Sequence, residues 1–252
     1  MNLLDRCILL TGASGGIGRA LASALAAAGA HLALSGRNAM ALDEVRAALT
    51  DLTRRQVTVL PADLDDPGVL PGLVDAAVSA LGVLDVVVHC AGLAEAAPVD
   101  TPDPAVIDRQ LRLNLLAPIA LTRHALPHLL ARPGSAVVHI LSGAALVPVP
   151  GLAAYSAAKA GLAAWGDALH RELAPRGLHV LNVYAGPTDT PMLRRSPLAA
   201  TMTPAESPHA LAAAVVQALA EGRRVLWRGS PERVAQLRAA RDDPRLGDAL
   251  RA

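Results

Sequence analysis

An α/β fold, with a parallel sheet covered by helices on both faces, is what this sequence predicts. Short β-rich apolar runs alternate with longer Ala/Leu-rich helical patterns from end to end, as strand–helix–strand units require. Runs such as Asp85-Val-Val-Val-His-Cys90 are apolar without alternation, the mark of central parallel strands buried on both sides. Hydrophobic residues make up 52% of the 252 and charged residues 18%, ample for a core on each face. No linker or internal repeat interrupts the pattern, so the chain reads as one domain over residues 1–252.

Composition excludes several classes of partner. The net charge is +1 with acids and bases interspersed, which leaves no electrostatic case for nucleic acid. No run reaches the length of a membrane span, about 18 uninterrupted apolar residues. Asp5 and Arg6 lead straight into a strand where a targeting segment would carry its apolar core. Both cysteines, Cys7 and Cys90, sit in apolar strand-like runs, as suits a reducing compartment. A cytoplasmic protein is expected.

In chain order, the strand candidates are Cys7–Thr11, His31–Ser35, Gln56–Leu60, Asp85–Cys90, Ser135–Leu141, Leu178–Tyr184 and Arg224–Trp227. Helical patterns lie between them near Ile17–Ala28, Ala39–Leu52, Pro67–Leu81, Pro104–Leu130, Gly151–Ala174 and Pro208–Glu221. The first strand runs into Thr11-Gly-Ala-Ser-Gly-Gly-Ile-Gly18 and then a helix. Gly12, Gly16 and Gly18 let the backbone turn tightly and approach a pyrophosphate, whose charge would rest on the helix N-terminus. The spacing is GxxxGxG, and it is the position between first strand and helix that makes it a candidate dinucleotide loop.

After the second strand comes Ser35-Gly36-Arg37-Asn38. It has no acid where an NAD-preferring fold offers a carboxylate to the ribose 2′-hydroxyl. Gly36 leaves room and Arg37 offers a bidentate cation to a 2′-phosphate, although an ordinary exposed arginine reads the same way. Asp63, just beyond the third strand, stands where such folds often meet the adenine.

The fourth strand ends His89-Cys90-Ala91-Gly92, and the helix after it carries Asn114, which is unfavourable inside a helix unless it has a polar task. His124 and His128 share i, i+4 spacing, but no Glu accompanies them, Pro127 lies between them and no third ligand is evident. No metal is expected. The fifth strand delivers Ser142 at its C-terminal end, the edge where ligands bind in open α/β sheets. Tyr155 and Lys159 follow at i, i+4 on a helical pattern, so phenol and ammonium share one face. Of 23 Lys plus Arg, Lys159 is the only lysine, and Tyr155 is one of two tyrosines. A bias that wrote arginine everywhere else left a lysine here. After the sixth strand, Ala185-Gly-Pro-Thr-Asp-Thr190 opens a candidate substrate loop over about 188–207, and 230–252 reads as a short helix and a closing segment.

Together, TGASGGIG, Ala91-Gly92, Asn114, Ser142, Tyr155-Ser-Ala-Ala-Lys159 and Gly186-Pro-Thr-Asp-Thr190 resemble the short-chain dehydrogenase/reductase family, in its single-domain branch. The resemblance runs from Cys7 to about Trp227. It implies a Rossmann-type doubly wound parallel sheet of about seven strands in the order 3-2-1-4-5-6-7, a nicotinamide cofactor and an Asn114–Ser142–Tyr155–Lys159 catalytic set. It further implies cofactor contacts from Gly12, Ser14, Gly16, Ile17 and Gly18, and from Arg37, Asn38, Asp63 and Leu64. Ala91, Gly92, Tyr155, Lys159, Gly186, Pro187, Thr188 and Thr190 complete that set. With Arg37 in place, NADP is expected rather than NAD. Two departures from the family pattern matter. His89-Cys90 stand where it has Asn-Asn, so any hydrogen bonds those asparagines make must come from elsewhere, and Ala185 replaces a proline before Gly186. Cys7 would start one strand and Cys90 end its neighbour, so no disulfide is expected.

A carbonyl that accepts hydride becomes an alkoxide and needs a proton. Free tyrosine, with a pKa of about 10, must come down about 3 units to serve near neutral pH, which takes about 4 kcal/mol. Lys159 and the positive nicotinamide ring are the available sources. Ser142 would hydrogen-bond the carbonyl oxygen, and Asn114 would hold a water linking Lys159 to solvent. The expected function is therefore NADP(H)-dependent oxidation or reduction at a carbonyl or secondary alcohol of ketone, aldehyde or 3-oxoacyl type. A non-catalytic nucleotide-binding regulator is the alternative, disfavoured by the intact Ser/Tyr/Lys set. A sugar-nucleotide epimerase would carry a larger C-terminal domain. Ala144-Ala-Leu-Val-Pro-Val-Pro-Gly-Leu152 and Pro191-Met-Leu193 carry no charge, which predicts a mainly apolar small-molecule substrate. Arg194 and Arg195 either meet an anionic tail or are solvated. The small residues Ala157, Ala158, Ala160, Gly161, Ala163 and Ala164 permit close helix approach, and the resemblance implies a homodimer or homotetramer there.

Overall fold

A computed structural model describes residues 1–50, 55–100, 103–196, 199, 204–229 and 231–242. Its centre is a seven-stranded parallel sheet in the order β3-β2-β1-β4-β5-β6-β7. The strands are β1 (Cys7–Thr11), β2 (His31–Gly36), β3 (Val57–Pro61), β4 (Val86–His89), β5 (Ala136–Ser142), β6 (His179–Ala185) and β7 (Val225–Trp227). The helices are α1 (Gly16–Ala27), α2 (Ala39–Thr50), α3 (Leu70–Leu81), α4 (Pro104–Leu111), α5 (Ala117–Leu130), α6 (Ala153–Leu173), α7 (Pro191–Arg194), α8 (Pro208–Ala220) and α9 (Pro231–Asp242).

Successive strand residues face opposite sides, and both sides are dry. Ile8, Leu10, Leu34, Val88 and Val138 join α1, α2 and α8 in one core cluster. Leu9, Val87, Val137 and Val180 join α3, α5 and the far half of α6 in a second. That is the doubly wound arrangement, and it explains why the strands read as unbroken apolar runs. A third, smaller cluster holds Tyr184 and Trp227, stacked with ring centroids 4.1 Å apart, against Leu162 of α6 and Leu146 of the loop after β5. It fixes that loop beside the C-terminal edge of the sheet. Among the described residues no helix is long and apolar enough to cross a membrane.

Two elements differ from expectation in a way that matters. The helix expected over Pro104–Leu130 is divided: α4 gives way to a π turn over Arg112–Leu116 before α5 begins. Pro118 has no N–H to offer the Asn114 carbonyl, so the ladder widens, and the Ala117 N–H bonds Arg112 O instead. The expected substrate loop contains a short helix, α7, capped by Thr190, whose hydroxyl accepts the Leu193 N–H at 3.3 Å. Positions 197, 198 and 200–203 of that loop, Asp51 and Leu52 of the second expected helix, and Ser230 and residues 243–252 of the expected closing segment lie outside the described residues. β6 continues through Ala185, which pairs with Ser142; a proline there would lack the N–H that a ladder uses. The cysteines are free, Cys7 at the start of β1 and Cys90 just past the end of β4.

Candidate active site

Loops from the C-terminal ends of β1, β2, β4, β5 and β6 meet at one edge of the sheet. The glycine loop after β1 is shaped for close approach. Gly12 has φ +66°, and a Cβ on it would lie 2.6 Å from Ala91 N. A Cβ on Gly18 would lie 2.0 Å from Gly12 O, so neither position admits a side chain. Gly16 faces Thr190, whose methyl would be 2.7 Å from an added Cβ. The β1 and β6 loops therefore stand side by side. Gly15 caps α1 without any side-chain hydrogen bond, which leaves first-turn N–H groups of α1 open to an anion. These features fit a dinucleotide pyrophosphate.

Ser14, Arg37, Asn38, Ala39 and Met40 line an open cleft of about 680 Å³ beside that loop. Arg37 is exposed, and no carboxylate among the described residues pairs with it. A Cβ on Gly36 would sit 3.3 Å from Ser14 Oγ, so a larger residue would press on the cleft wall. Asn38 spends its side-chain oxygen on the Ala41 N–H at the start of α2. Asp63 is exposed at the end of the β3 loop, and Leu64 turns its side chain into the second core cluster, which leaves its backbone for a ligand. Ile17 is half-buried against the first cluster.

The departures at His89 and Cys90 are accommodated by residues the sequence did not single out. Thr11 Oγ1 donates to Val88 O at 3.2 Å and accepts the N–H groups of Cys90 and Ala91 at 3.1 and 3.2 Å. One hydroxyl thus ties the ends of β1 and β4 together. His89 turns under the sheet to bond Thr122 at 2.7 Å and stacks on His139 with centroids 5.4 Å apart. His139 Nδ1 meets Asn182 Oδ1 at 2.9 Å. Burial holds both imidazoles neutral, His89 well below its ordinary value and His139 down to about 4.

Asn114 is fully buried in the π turn. Its Oδ1 accepts the Leu93 N–H at 3.1 Å, and its Nδ2 donates to Leu93 O at 2.7 Å and to Gln110 O at 3.0 Å. One turn earlier, Gln110 bonds Glu95 N–H and C=O in the same manner, at 3.1 and 3.2 Å. The two side chains pin the loop after β4. Gln110 is not singled out by the sequence, because its burial against the Glu95 loop appears only in the fold. An added Cβ on Gly92 would lie 2.9 Å from Asn114 Oδ1 and 3.6 Å from Lys159 Nζ, so glycine keeps the passage between them open.

Ser142 ends β5, and its Oγ accepts the Ala144 N–H at 3.2 Å, which orients its own proton away from that turn. Tyr155, in the first turn of α6, is hydrogen-bonded to Ser142. Lys159, 5% exposed, donates to Ile140 O at 3.0 Å and lies 5.8 Å from the Tyr155 ring centroid. Burial pushes the phenol above its ordinary value, the Ser142 hydrogen bond draws it partway back, and nearby Cys90 adds to the rise. Burial lowers the Lys159 ammonium to about 8, against a small opposing pull from Cys90. Burial also pushes the Cys90 thiol up to about 12, which makes it an inert neighbour. Lys159 does not hold the phenol down in this structure: its ammonium is drawn to the Ile140 carbonyl, and burial governs both groups. Thr188 bonds Gly186 O at 3.0 Å and bridges to Glu206, which anchors the far end of the β6 loop; Pro187 is exposed between them. Arg194 is paired with Asp189 at 2.8 Å, while Arg195 is exposed.

A doubly wound sheet with a glycine loop at its first turn and Ser, Tyr and Lys gathered at the same edge defines a dinucleotide-binding protein of oxidoreductase type. The pattern of the short chain dehydrogenase family matches residues 6–200. The chain belongs to that family, whose members are oxidoreductases that bind a nicotinamide cofactor and act on small molecules. It is 35% identical over 250 residues to 1-deoxy-11-beta-hydroxypentalenate dehydrogenase of Streptomyces exfoliatus, covering 96% of this chain and 90% of the relative. It is 31% identical over 199 residues to Dehydrogenase/reductase SDR family member 7 of Mus musculus, covering 77% of this chain but only 59% of that protein's length. Among solved structures, a short chain dehydrogenase from Burkholderia cenocepacia J2315 in complex with NADP superposes with a TM-score of 0.83 at 33% identity. That match covers 90% of this chain and 97% of the other.

Proposed function

We propose that the chain, acting as one domain, is an NADP(H)-dependent oxidoreductase that moves hydride between nicotinamide and a carbonyl or secondary alcohol of a mainly apolar small molecule. The observation that carries this reading is the Ser142–Tyr155 hydrogen bond with Lys159 buried beside it, next to the glycine loop. The cofactor supplies the hydride; the chain orients and moves the proton. Gly12, Gly16, Gly18 and the open N-terminus of α1 would hold the pyrophosphate, and Lys159 would hold ribose hydroxyls. Ser142 donates to the substrate oxygen, and Tyr155 delivers the proton to it. A unit charge about 6 Å away at an effective dielectric near 20 is worth about 3 kcal/mol, so Lys159 turned from Ile140 toward the phenol supplies most of the required shift. Asn114, already bonded to the Leu93 backbone, fixes the loop beside Lys159 and has an oxygen facing Gly92 that can hold a water. Following loss of reduced-nicotinamide absorbance over a panel of ketones, aldehydes and hydroxylated sugars tests the reading. Apolar ketones are expected to turn over fastest, and faster turnover of the sugars would contradict the substrate class.

Preference for NADP(H) rests on Arg37, exposed and unpaired among the described residues, and on the absence of an acid at Gly36. A charge-assisted contact to a 2′-phosphate contributes about 1.5–3 kcal/mol, roughly 10- to 150-fold. Arg37→Ala is therefore expected to lower kcat/KM for NADPH by at least tenfold while leaving NADH within about twofold. Equal losses with both cofactors would remove Arg37 from the 2′ position.

The reading also includes a second copy of the chain. Of the small residues expected at a helix contact, Ala158 and Ala163 are buried within the chain, while Ala157, Ala160 and Ala164 are exposed and form a stripe along α6 with Ala153 and Ala168. Such a face fits a twofold helix contact. A homodimer or homotetramer is expected by light scattering at micromolar concentration, and a monomer would refute it.

A further inference from the structure

We propose that Leu237 of the C-terminal helix α9 is a specificity-determining residue that limits the size of the substrate group beside Ser142. The inference rests on the reductase reading above and names the wall of its substrate site. α9 starts four residues after β7, at the same C-terminal edge of the sheet that presents the glycine loop, Ser142 and Tyr155. It is a polar helix, Pro-Glu-Arg-Val-Ala-Gln-Leu-Arg-Ala-Ala-Arg-Asp, and its described neighbours Glu232, Ala235, Gln236 and Ala239 are exposed. Val234 is half-buried and Leu237 more so, with 8% of its surface accessible, yet Leu237 belongs to none of the three core clusters.

Its methyl groups lie against the loop that follows the catalytic candidate. Among the described residues, a Cβ placed on Gly143, the residue after Ser142, would meet only the two methyl carbons of Leu237, at 3.4 and 4.0 Å. Gly143 also opens the short 3-10 turn whose Ala144 N–H is held by Ser142 Oγ. An apolar side chain has thus been brought from the end of the described chain to the residue adjoining the proposed oxyanion donor, away from the core. A leucine in that place removes apolar substrate surface from water and, by its bulk, bounds how far a substituent can extend past Gly143. Shortening it opens the wall; enlarging it closes the wall.

The experiment uses the full chain with NADPH and 2-ketones from butanone to dodecanone, plus acetophenone. kcat/KM is measured for wild type, Leu237→Ala and Leu237→Phe, and NADPH affinity is measured separately by fluorescence. Leu237→Ala is expected to raise the ratio of kcat/KM for large over small ketones at least tenfold, and Leu237→Phe to lower it by a similar factor. NADPH affinity should stay within twofold in both, because α9 lies on the substrate side. A uniform fall across the series, or an unchanged ratio in both variants, makes Leu237 a structural anchor and overturns the inference while leaving the reductase reading in place. A wild-type chain that binds NADPH but reduces none of the ketones overturns the reading and the inference together.

Discussion

Replacing Tyr155 with Phe is expected to lower kcat by about 10³-fold while changing NADPH affinity by less than about threefold. General acid–base groups contribute roughly 10²- to 10⁴-fold, and the Phe variant removes the phenol proton that the proposed mechanism delivers. Cys90, a nearby thiol, is held up to about 12 by burial, His89 and His139 are kept neutral beneath the sheet by theirs, and the Lys159 ammonium donates to Ile140 O. The variant loses one hydroxyl and its bond to Ser142, while the ring still fills its space in the first turn of α6. Affinity for the cofactor, which depends on the glycine loop and Lys159, should persist. Steady-state rates together with a fluorescence titration of NADPH check both halves. A Phe variant within tenfold of wild type would overturn the assignment of Tyr155.

Lys159→Met should do the reverse of what a purely structural lysine would do: it should stabilise the protein and disable it. Lys159 is 5% exposed, its ammonium donates to the Ile140 carbonyl, and burial brings its pKa from 10.5 down to about 8. A folded-state value below the unfolded one means that the protonated lysine costs stability. The cost is fully present below about pH 8 and fades as the pH rises toward the unfolded value. A shift of this size corresponds to about 3 kcal/mol, and methionine fills a similar volume without the charge. The melting temperature of the cofactor-free variant at pH 7 is therefore expected to rise by about 5 °C or more, and its advantage over wild type should close between about pH 8 and pH 10.5. NADPH should bind at least tenfold more weakly, and kcat should fall by at least about 10²-fold, because one ammonium serves both ribose and phenol in the proposed mechanism. A destabilised variant with unchanged NADPH affinity would contradict both roles.

Much of this was legible from residue pattern. Strands buried on both faces must be apolar throughout, so Asp85–Cys90 and Ser135–Leu141 announced themselves, and the one lysine, four residues after a rare tyrosine, marked α6. Strand order came from resemblance, since periodicity says nothing of which strands are neighbours. What stayed hidden depends on contacts between distant residues. The π turn at Arg112–Leu116 follows from Pro118 withholding a donor, while local propensity favours one continuous helix. Thr11, Gln110 and Leu237 are ordinary in sequence; only the closeness of β1 to β4, of α4 to the Glu95 loop and of α9 to Gly143 gives them a task. The balance of charge at Tyr155 was also out of reach, because burial, which raises the phenol here, is set by the whole fold.

The most direct test of the account is a product balance: alcohol formed per reduced nicotinamide consumed, measured with an apolar ketone for wild type and Tyr155→Phe at equal NADPH saturation. The account predicts one alcohol per NADPH for wild type and almost none for the variant. Loss of NADPH without alcohol, or equal alcohol from both proteins, would contradict it.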